Sequence, residues 1–306
     1  MEKTALGDIT VLDLTRVLAG PFCTVLLAVY GANVIKIEAP GKGDDTRGME
    51  PIYNDVSMYF ANMNHDKKGI TLNLKSPEGK QIFLDLVKQA DVVVENYRPG
   101  VMDRLGLGYD VLKEVNDRII YAAVSGFGSY GPDFRKPGYD IIAQAAGGLI
   151  SITGPENGDP VRAGTATGDV LGGMNLTIGI LMALHARELT NKGQRVDVSL
   201  VDSVVAALET ATQRYFVSGE DPKPMGCRYA AAAPYGSFRA KDGLFVIGAG
   251  NDKLFTSLCK VMGREELIED PRFRTNLDRC ANHVELTPEI EKWSCTQSVK
   301  EAVEKI

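Results

Sequence analysis

Short apolar runs alternate with longer amphipathic stretches along this chain, and the alternation predicts a parallel α/β sheet. Residues 9–14 (ITVLDL) have strand character; Ala19-Gly20-Pro21 turns the chain into an apolar helix over residues 22–30, and residues 32–38 return as a second strand. Strand, helix and strand within about 40 residues is the βαβ unit of a parallel sheet. Residues 41–55 are polar and glycine-containing, and so read as loop. The pattern then resumes with a strand at 71–74, a helix from Pro77 to about Ala90 and a strand at 92–95. Ser76 as N-cap, Pro77 at the first helical position and Glu78 in the first turn agree with one another. A short helix holding Arg104, a helix at 109–115 and a strand at 119–124 make a further unit, and an apolar helix follows Tyr139-Asp140 as far as Ala146. A helix from Asp169 to about Leu189, an alternating strand at 193–200 and a helix at 201–217 complete a Rossmann-like domain of helices flanking a parallel sheet.

The texture changes at residues 218–224 (SGEDPKP), which read as a linker. The boundary therefore falls near residue 220: a large domain over 1–220 and a smaller α+β domain over 221–306. The smaller domain is expected to hold a strand pair at 235–238 and 244–247, joined by Lys241-Asp242-Gly243. Residues 287–306 read as one amphipathic helix with Ile290, Trp293, Val299, Val303 and Ile306 on its apolar side.

Composition narrows the function classes. The 306 residues carry a formal net charge of −6, which argues against a general nucleic-acid binder and leaves any anionic ligand to local basic clusters. Five scattered cysteines (Cys23, Cys227, Cys259, Cys280, Cys295) form no C-x-x-C pair, so free thiols in a reducing cytoplasm are expected rather than disulfides or a zinc site. His65, His185 and His283 lie far apart, and no metal site is expected. The start, Met1-Glu2-Lys3-Thr4, has no apolar signal core before Asp8, and the long uncharged run at 170–184 is interrupted by Gly172, Gly173, Asn175, Thr177 and Gly179. Neither a signal peptide nor a membrane span is read from it.

Candidate chemistry concentrates at residues 164–173 (GTATGDVLGG), where one carboxylate, Asp169, stands among glycines at the head of that uncharged run. Two roles fit a carboxylate at a helix start: an N-cap that accepts a first-turn N–H, or a nucleophile that a bulky substrate approaches across glycine backbone. Asn96-Tyr97-Arg98-Pro99-Gly100 directly follows a strand, where open α/β sheets place their ligands. Residues 126–131 (GFGSYG) match G-x-G-x-x-G, but Pro132, Asp133 and Pro137 stand where a nucleotide-binding helix would begin, so a flexible glycine loop is the competing reading.

Taken together, several stretches resemble the class III coenzyme A transferases, the formyl-CoA transferase or carnitine-CoA transferase (CaiB/BaiF) family. The resemblance is carried by Val11-Leu12-Asp13-Leu14 with Ala19-Gly20-Pro21, by residues 33–38 (NVIKIE), by Asn64 with Lys67-Lys68 and Leu72-Asn73-Leu74-Lys75, by residues 95–100 (ENYRPG), by Gly168-Asp169, by residues 193–200 (GQRVDVSL) and by Asp270-Pro271-Arg272-Phe273. It runs along nearly the whole chain.

The resemblance implies a CoA transferase in which Asp169 attacks an acyl-CoA thioester and passes CoA to a carboxylic acid through mixed-anhydride and aspartyl-CoA thioester intermediates. It implies no permanently bound cofactor, with CoA and acyl-CoA as substrates, and a CoA path along Val17, Leu18, Ala19, Leu72, Asn73, Leu74, Lys75, Asn96, Tyr97, Arg98 and Arg104. Lys136 and Tyr139 would lie nearer the pantetheine, with Arg47 a weaker candidate. An interlaced homodimer and a C-terminal segment returning to the first domain are further implications. Formyl-specific members carry a polar side chain where this chain has Val17-Leu18, so the expected acid is larger or less polar than formate or oxalate. An α-methylacyl-CoA racemase-like enzyme is the nearest alternative, with Tyr139 where a base histidine would stand. A nicotinamide oxidoreductase and a non-catalytic CoA-binding subunit are the others.

Overall fold

The computed structural model describes residues 4–306; Met1, Glu2 and Lys3, part of the stretch read as lacking a signal core, lie outside the described residues. The chain divides into two units, Met1–Ile150 with Arg162–Asp221, and Ser151–Val161 with Pro222–Ile306.

Ten strands occur among the described residues: β1 (Thr10–Asp13), β2 (Asn33–Glu38), β3 (Ile52–Tyr53), β4 (Val56–Ser57), β5 (Lys68–Thr71), β6 (Val92–Glu95), β7 (Ile120–Ser125), β8 (Arg195–Ser199), β9 (Tyr235–Arg239) and β10 (Leu244–Gly248). Six of them build one parallel sheet in the order β5-β2-β1-β6-β7-β8. Counted along the chain, that order is third, second, first, fourth, fifth, sixth, the doubly wound arrangement whose ligand crevice opens where the order reverses. Here the reversal lies between β1 and β6.

The central strands are buried on both faces, which is why β6 reads Val-Val-Val-Glu without alternation. Successive residues still point to opposite sides. Val11, Val92, Val94 and Ala122 pack with Cys23, Leu27, Leu176, Ile180 and Val204 on one face. Leu12, Val93 and Tyr121 pack with Phe83, Val87, Leu107 and Leu112 on the other.

The helix Thr167–Thr190 lies on the first of these faces, against the Ala19–Val29, Asp140–Ala146 and Leu200–Ala207 helices and against β7 and β8. Its glycines are what let it sit there. A Cβ on Gly172 would come within 2.4 Å of Leu200 Cδ2, and one on Gly173 within 2.6 Å of the Ala19 carbonyl oxygen. By length and hydropathy this helix could cross a membrane, but its buried residues Leu176, Ile180, Ala183 and Leu184 belong to the sheet's core.

In the second unit β9 and β10 pair antiparallel, and Phe238, Phe245 and Ile247 pack with Phe255, Phe273, Leu286 and Ile290 into a separate core. A recess of about 550 Å³ in this unit is lined by Tyr229, Ala232, Tyr235, Phe238, His283 and Leu286 among others, and by none of the predicted site residues.

Four sequence readings are corrected. The strand expected at 71–74 is β5 at Lys68–Thr71. The Leu72/Leu74 alternation belongs instead to a turn whose two leucines pack on the core, while Lys75 N–H donates to Asn73 Oδ1. The helix expected at 201–217 is two helices, Leu200–Ala207 and Thr210–Ser218, broken at Glu209, whose φ is +57°. The terminal helix expected at 287–306 is also two, His283–Ser294 and Val299–Lys305, because Ser298 and Glu301 form a reciprocal capping box that starts a new helix. Residues 151–161, read as part of the large domain, join the second unit: Gly226 N–H donates to Gly154 O, and Arg228 pairs with Glu156.

Candidate active site

Asp169 is not the cap of its helix. The helix begins at Thr167, its N-cap residue Ala166 has no capping side chain, and Asp169 is the third helical residue. The cap arrives from elsewhere: Asp140 Oδ1 accepts the Gly168 N–H at 2.8 Å. The fully buried Gln144 supports that carboxylate, donating to Asp140 Oδ2 at 2.8 Å and to Thr165 O at 3.2 Å, and accepting the Ala163 N–H at 2.9 Å. The loop before Asp169 is thus held by two side chains of the Asp140–Ala146 helix.

Asp169 shares a helix face with Gly173, one turn further on. Gly173 packs on Ala19 and Phe22, so this face of the helix is the one turned toward the start of the Ala19–Val29 helix. Burial, and then the like charge of Asp140, raise the Asp169 pKa from 3.8 to about 7. The positive end of the helix dipole opposes this shift but does not cancel it. Tyr59, which the sequence reading missed, is raised by burial and by the Asp169 charge. It stands on the Met58–Asn64 helix, capped by Ser57, within a region where no helix was read. The Ser57 cap ahead of Met58-Tyr59-Phe60 was the available signal.

The crevice between β1 and β6 is tied across its mouth. Asn96 Oδ1 accepts the Arg16 N–H at 3.0 Å, and Asn96 Nδ2 donates to Arg16 O at 2.7 Å, so this predicted CoA contact spends its amide as a staple. Next to it Val17 adopts φ +70°, a costly conformation for a β-branched residue, with its N–H donating to Asp44 Oδ1. Asp44 in turn pairs with Lys36 at 2.9 Å, and Lys36 Nζ donates to Thr15 O at 2.8 Å. Beneath the loop, the fully buried Asp13 meets Lys67 Nζ at 3.1 Å. Burial alone would raise Asp13, but Lys67, Lys36 and the Thr15 and Thr24 hydroxyls together hold it below the usual carboxylate range. Leu18 O accepts the Phe22 N–H, and the buried Ala19 opens the helix.

The basic candidates separate by what they already hold. Arg47 makes two hydrogen bonds to Glu38 and stacks at 3.8 Å on the Phe60 ring, so its guanidinium is committed to the fold. Lys136 pairs with Asp133 at 2.9 Å. Lys75, Arg98 and Arg104 are exposed and have no ion pair among the described residues, with Arg98 and Arg104 following β6 beside the crevice. Leu72, Asn73 and Leu74 shape the turn that carries Lys75, the Tyr97 ring is half-buried against the core, and Tyr139 is 75% exposed at the start of the Asp140–Ala146 helix.

The glycine loop at 126–131 opens no helix, the next one being Asp140–Ala146. A Cβ on Gly126 would lie 2.5 Å from Gly138 Cα, and Ser129 is bonded to Asp197 through both its N–H and its hydroxyl. The loop therefore lacks the helix N-terminus that a dinucleotide pyrophosphate requires.

A family model described as CoA-transferase family III matches residues 6–306. The chain belongs to that family. This family III member is 48% identical over 291 residues to the acetyl-CoA:oxalate CoA-transferase of Acetobacter aceti, covering 95% of this chain and 75% of the relative. It is 44% identical over 282 residues to the succinyl-CoA:glutarate CoA-transferase of Mus musculus, covering 92% and 65%. It superposes on a CaiB/BaiF family protein from Brucella suis with a TM-score of 0.87 at 36% identity, over 99% of this chain and 82% of that one. The family III member thus spans about two thirds to three quarters of the length of these curated relatives.

Proposed function

We propose that this family III member transfers CoA from a short acyl-CoA to a dicarboxylic acid, with Asp169 as the nucleophile. The observation that carries the reading is the Asp169 carboxylate itself, which caps no helix, is partly buried and stands in the first turn of the Thr167–Thr190 helix. A carboxylate relieved of structural hydrogen bonds keeps its lone pairs for attack.

The steps balance without a cofactor. Asp169 oxygen attacks the thioester carbonyl, the C–S bond breaks, and CoA leaves as thiolate from a mixed anhydride. The thiolate attacks the aspartyl carbonyl of that anhydride, expels the donor's carboxylate and leaves an aspartyl-CoA thioester. The acceptor carboxylate then attacks this thioester and releases thiolate again. Attack of the thiolate on the acceptor's acyl carbon yields the new acyl-CoA and restores Asp169. Each intermediate hydrolyses readily, so partial burial of the site serves to exclude water.

Lys75, Arg98 and Arg104, exposed and without an ion pair among the described residues, receive the phosphates of CoA, the arginines as bidentate forks. Arg98→Ala and Arg104→Ala are each expected to raise KM for acyl-CoA about 10-fold, with kcat within about twofold, because a ground-state phosphate contact persists in the transition state. Steady-state kinetics with acetyl-CoA or succinyl-CoA and a panel of dicarboxylic acids checks this. Transfer to no acid in the panel sinks the functional reading, and an unchanged KM sinks the phosphate assignment. The relatives named for oxalate and for glutarate favour a dicarboxylate, and the former draws oxalate itself back into the panel despite Val17-Leu18.

The active form is a cytoplasmic homodimer in this reading. Met174, Ile178, Leu181, Met182 and Leu189 expose an apolar stripe on the outer side of the Thr167–Thr190 helix, at the spacing of one helix face. Met182→Glu is expected to shift the mass measured by light scattering from dimer to monomer; an unaltered dimer would place the interface elsewhere.

A further inference from the structure

We propose that Asp140 is a positioning residue for this site: from its own helix it caps the Asp169 helix, leaving the Asp169 carboxylate uncommitted and placing a fixed negative charge behind it. This inference rests on the reading of Asp169 as nucleophile and concerns a residue that contacts neither CoA nor acid in that reading.

A helix start leaves its first N–H groups without partners; the N-cap side chain satisfies one of them, and an acidic residue at the third helical position can reach back to another. Had Asp169 done so, its oxygens would be tied to its own backbone. Asp140 takes the Gly168 N–H at 2.8 Å instead, and Gln144 holds Asp140 Oδ2 at 2.8 Å while also anchoring both Ala163 and Thr165. Gly168 permits the approach: a Cβ there would lie 3.3 Å from Asp140 Oδ1, closer than side chains usually sit. The motif Gly168-Asp169 therefore has a packing reason for its glycine as well as a chemical one for its acid.

The charge has a second effect, because a negative neighbour makes the Asp169 carboxylate more basic and more nucleophilic once ionised. The other groups on elements packed against this helix are few. The Ala19–Val29 helix offers Cys23, the Leu200–Ala207 helix Asp202, and β7 and β8 offer Tyr121, Arg195 and Asp197. Tyr121 is bonded to Glu95 and Asp197 to Ser129. Tyr59 on the Met58–Asn64 helix feels the Asp169 charge, and Arg162 stands 4.0 Å from Asp140 Oδ2, on the side away from the Gly168 bond. Burial and Asp140 are the two influences that raise Asp169.

The test compares Asp140→Asn, whose amide oxygen still accepts the Gly168 N–H, with Asp140→Ala, which loses both cap and charge. Carboxyl ¹³C NMR, with the Asp169 signal assigned by its loss in Asp169→Asn, follows the titration without reference to turnover. In Asp140→Asn the Asp169 midpoint is expected to fall by about one pH unit. In Asp140→Ala kcat is expected to drop by roughly 10- to 100-fold, the range for loss of transition-state positioning, with KM for acyl-CoA within about threefold. A residue of merely structural importance would leave the midpoint of the folded Asn variant where it was, and that result overturns the proposal. Because the NMR readout needs no transfer activity, it stands even if the acceptor is not a dicarboxylate; should the Ala variant not fold, the Asn titration alone decides.

Discussion

Asp169→Ala is expected to lower kcat by at least ~10⁴-fold, the order of loss when a covalent nucleophile is removed, while CoA binds within about threefold of the parent affinity. The pH dependence follows from the same carboxylate. With its pKa raised to about 7 by burial and by Asp140, the protonated, inert form dominates at acid pH. The free-enzyme parameter kcat/KM should therefore climb through about pH 7 and level off above it. Stability runs the other way. A carboxyl whose folded pKa exceeds its unfolded value holds its proton more tightly in the folded state, so it favours folding below pH 4 and that contribution fades as pH rises to 7. Asp169→Asn should then be more stable than the parent at pH 8, by an amount the displacement from 3.8 to about 7 bounds at about 4 kcal/mol. A variant equal in kcat to the parent would return Asp169 to a structural role.

Lys67→Ala is expected to destabilise the first unit by about 3–5 kcal/mol, the loss typical of a buried pair with one partner removed. Lys67 Nζ, with a side chain only 1% exposed, bonds Asp13 Oδ2, Thr24 Oγ1, Asn64 Oδ1 and Pro21 O at once. Burial lowers its pKa, and Asp13 pulls against that shift. Removing the ammonium strands the Asp13 charge at the carboxyl end of β1, beneath the loop that carries Val17 and Leu18. The effect is thus predicted on both stability and KM for acyl-CoA. Calorimetry checks the first: a transition of the first unit unchanged within about 1 kcal/mol would mean that Lys36 alone neutralises Asp13. The pair's stabilisation is present above pH 3.8 and lost as pH falls below it, since Asp13 is depressed in the folded state.

What the sequence discloses follows from how local each cause is. The parallel sheet was legible because β1, β2, β6, β7 and β8 are short apolar runs separated by helix-length segments, and Ser76-Pro77-Glu78 marked a helix start that the structure shows with Ser76 Oγ accepting the Gly79 N–H. Leu72 and Leu74 misled because period-two alternation also arises in a turn that dips two leucines into a core. Ser298 and Glu301 carried a readable capping box, but the amphipathic spacing of Ile290, Trp293 and Val299 overrode it. At the site, Asp169 stood out by its glycines, whereas Asp140, Gln144 and Tyr59 did not. Their relation to Asp169 spans 19 to 28 residues for the first two, through Ala163, Thr165 and Gly168, and is created only by the packing of helix on helix. The glycines themselves were read as room for substrate; Gly168, Gly172 and Gly173 serve the approach of neighbouring side chains and backbone. Among the basic residues, the sequence ranked Arg47 below Arg98, but the physical reason, the Glu38 and Phe60 that hold the Arg47 guanidinium, is created only by the fold.

The most direct measurement is to incubate the protein with an acyl-CoA, quench with hydroxylamine and sequence the peptides by mass spectrometry. Asp169 recovered as its hydroxamate, in a yield that rises with acyl-CoA and vanishes in Asp169→Asn, is the result this account predicts. An unmodified Asp169 during active turnover, or a hydroxamate on a different carboxylate, would contradict it.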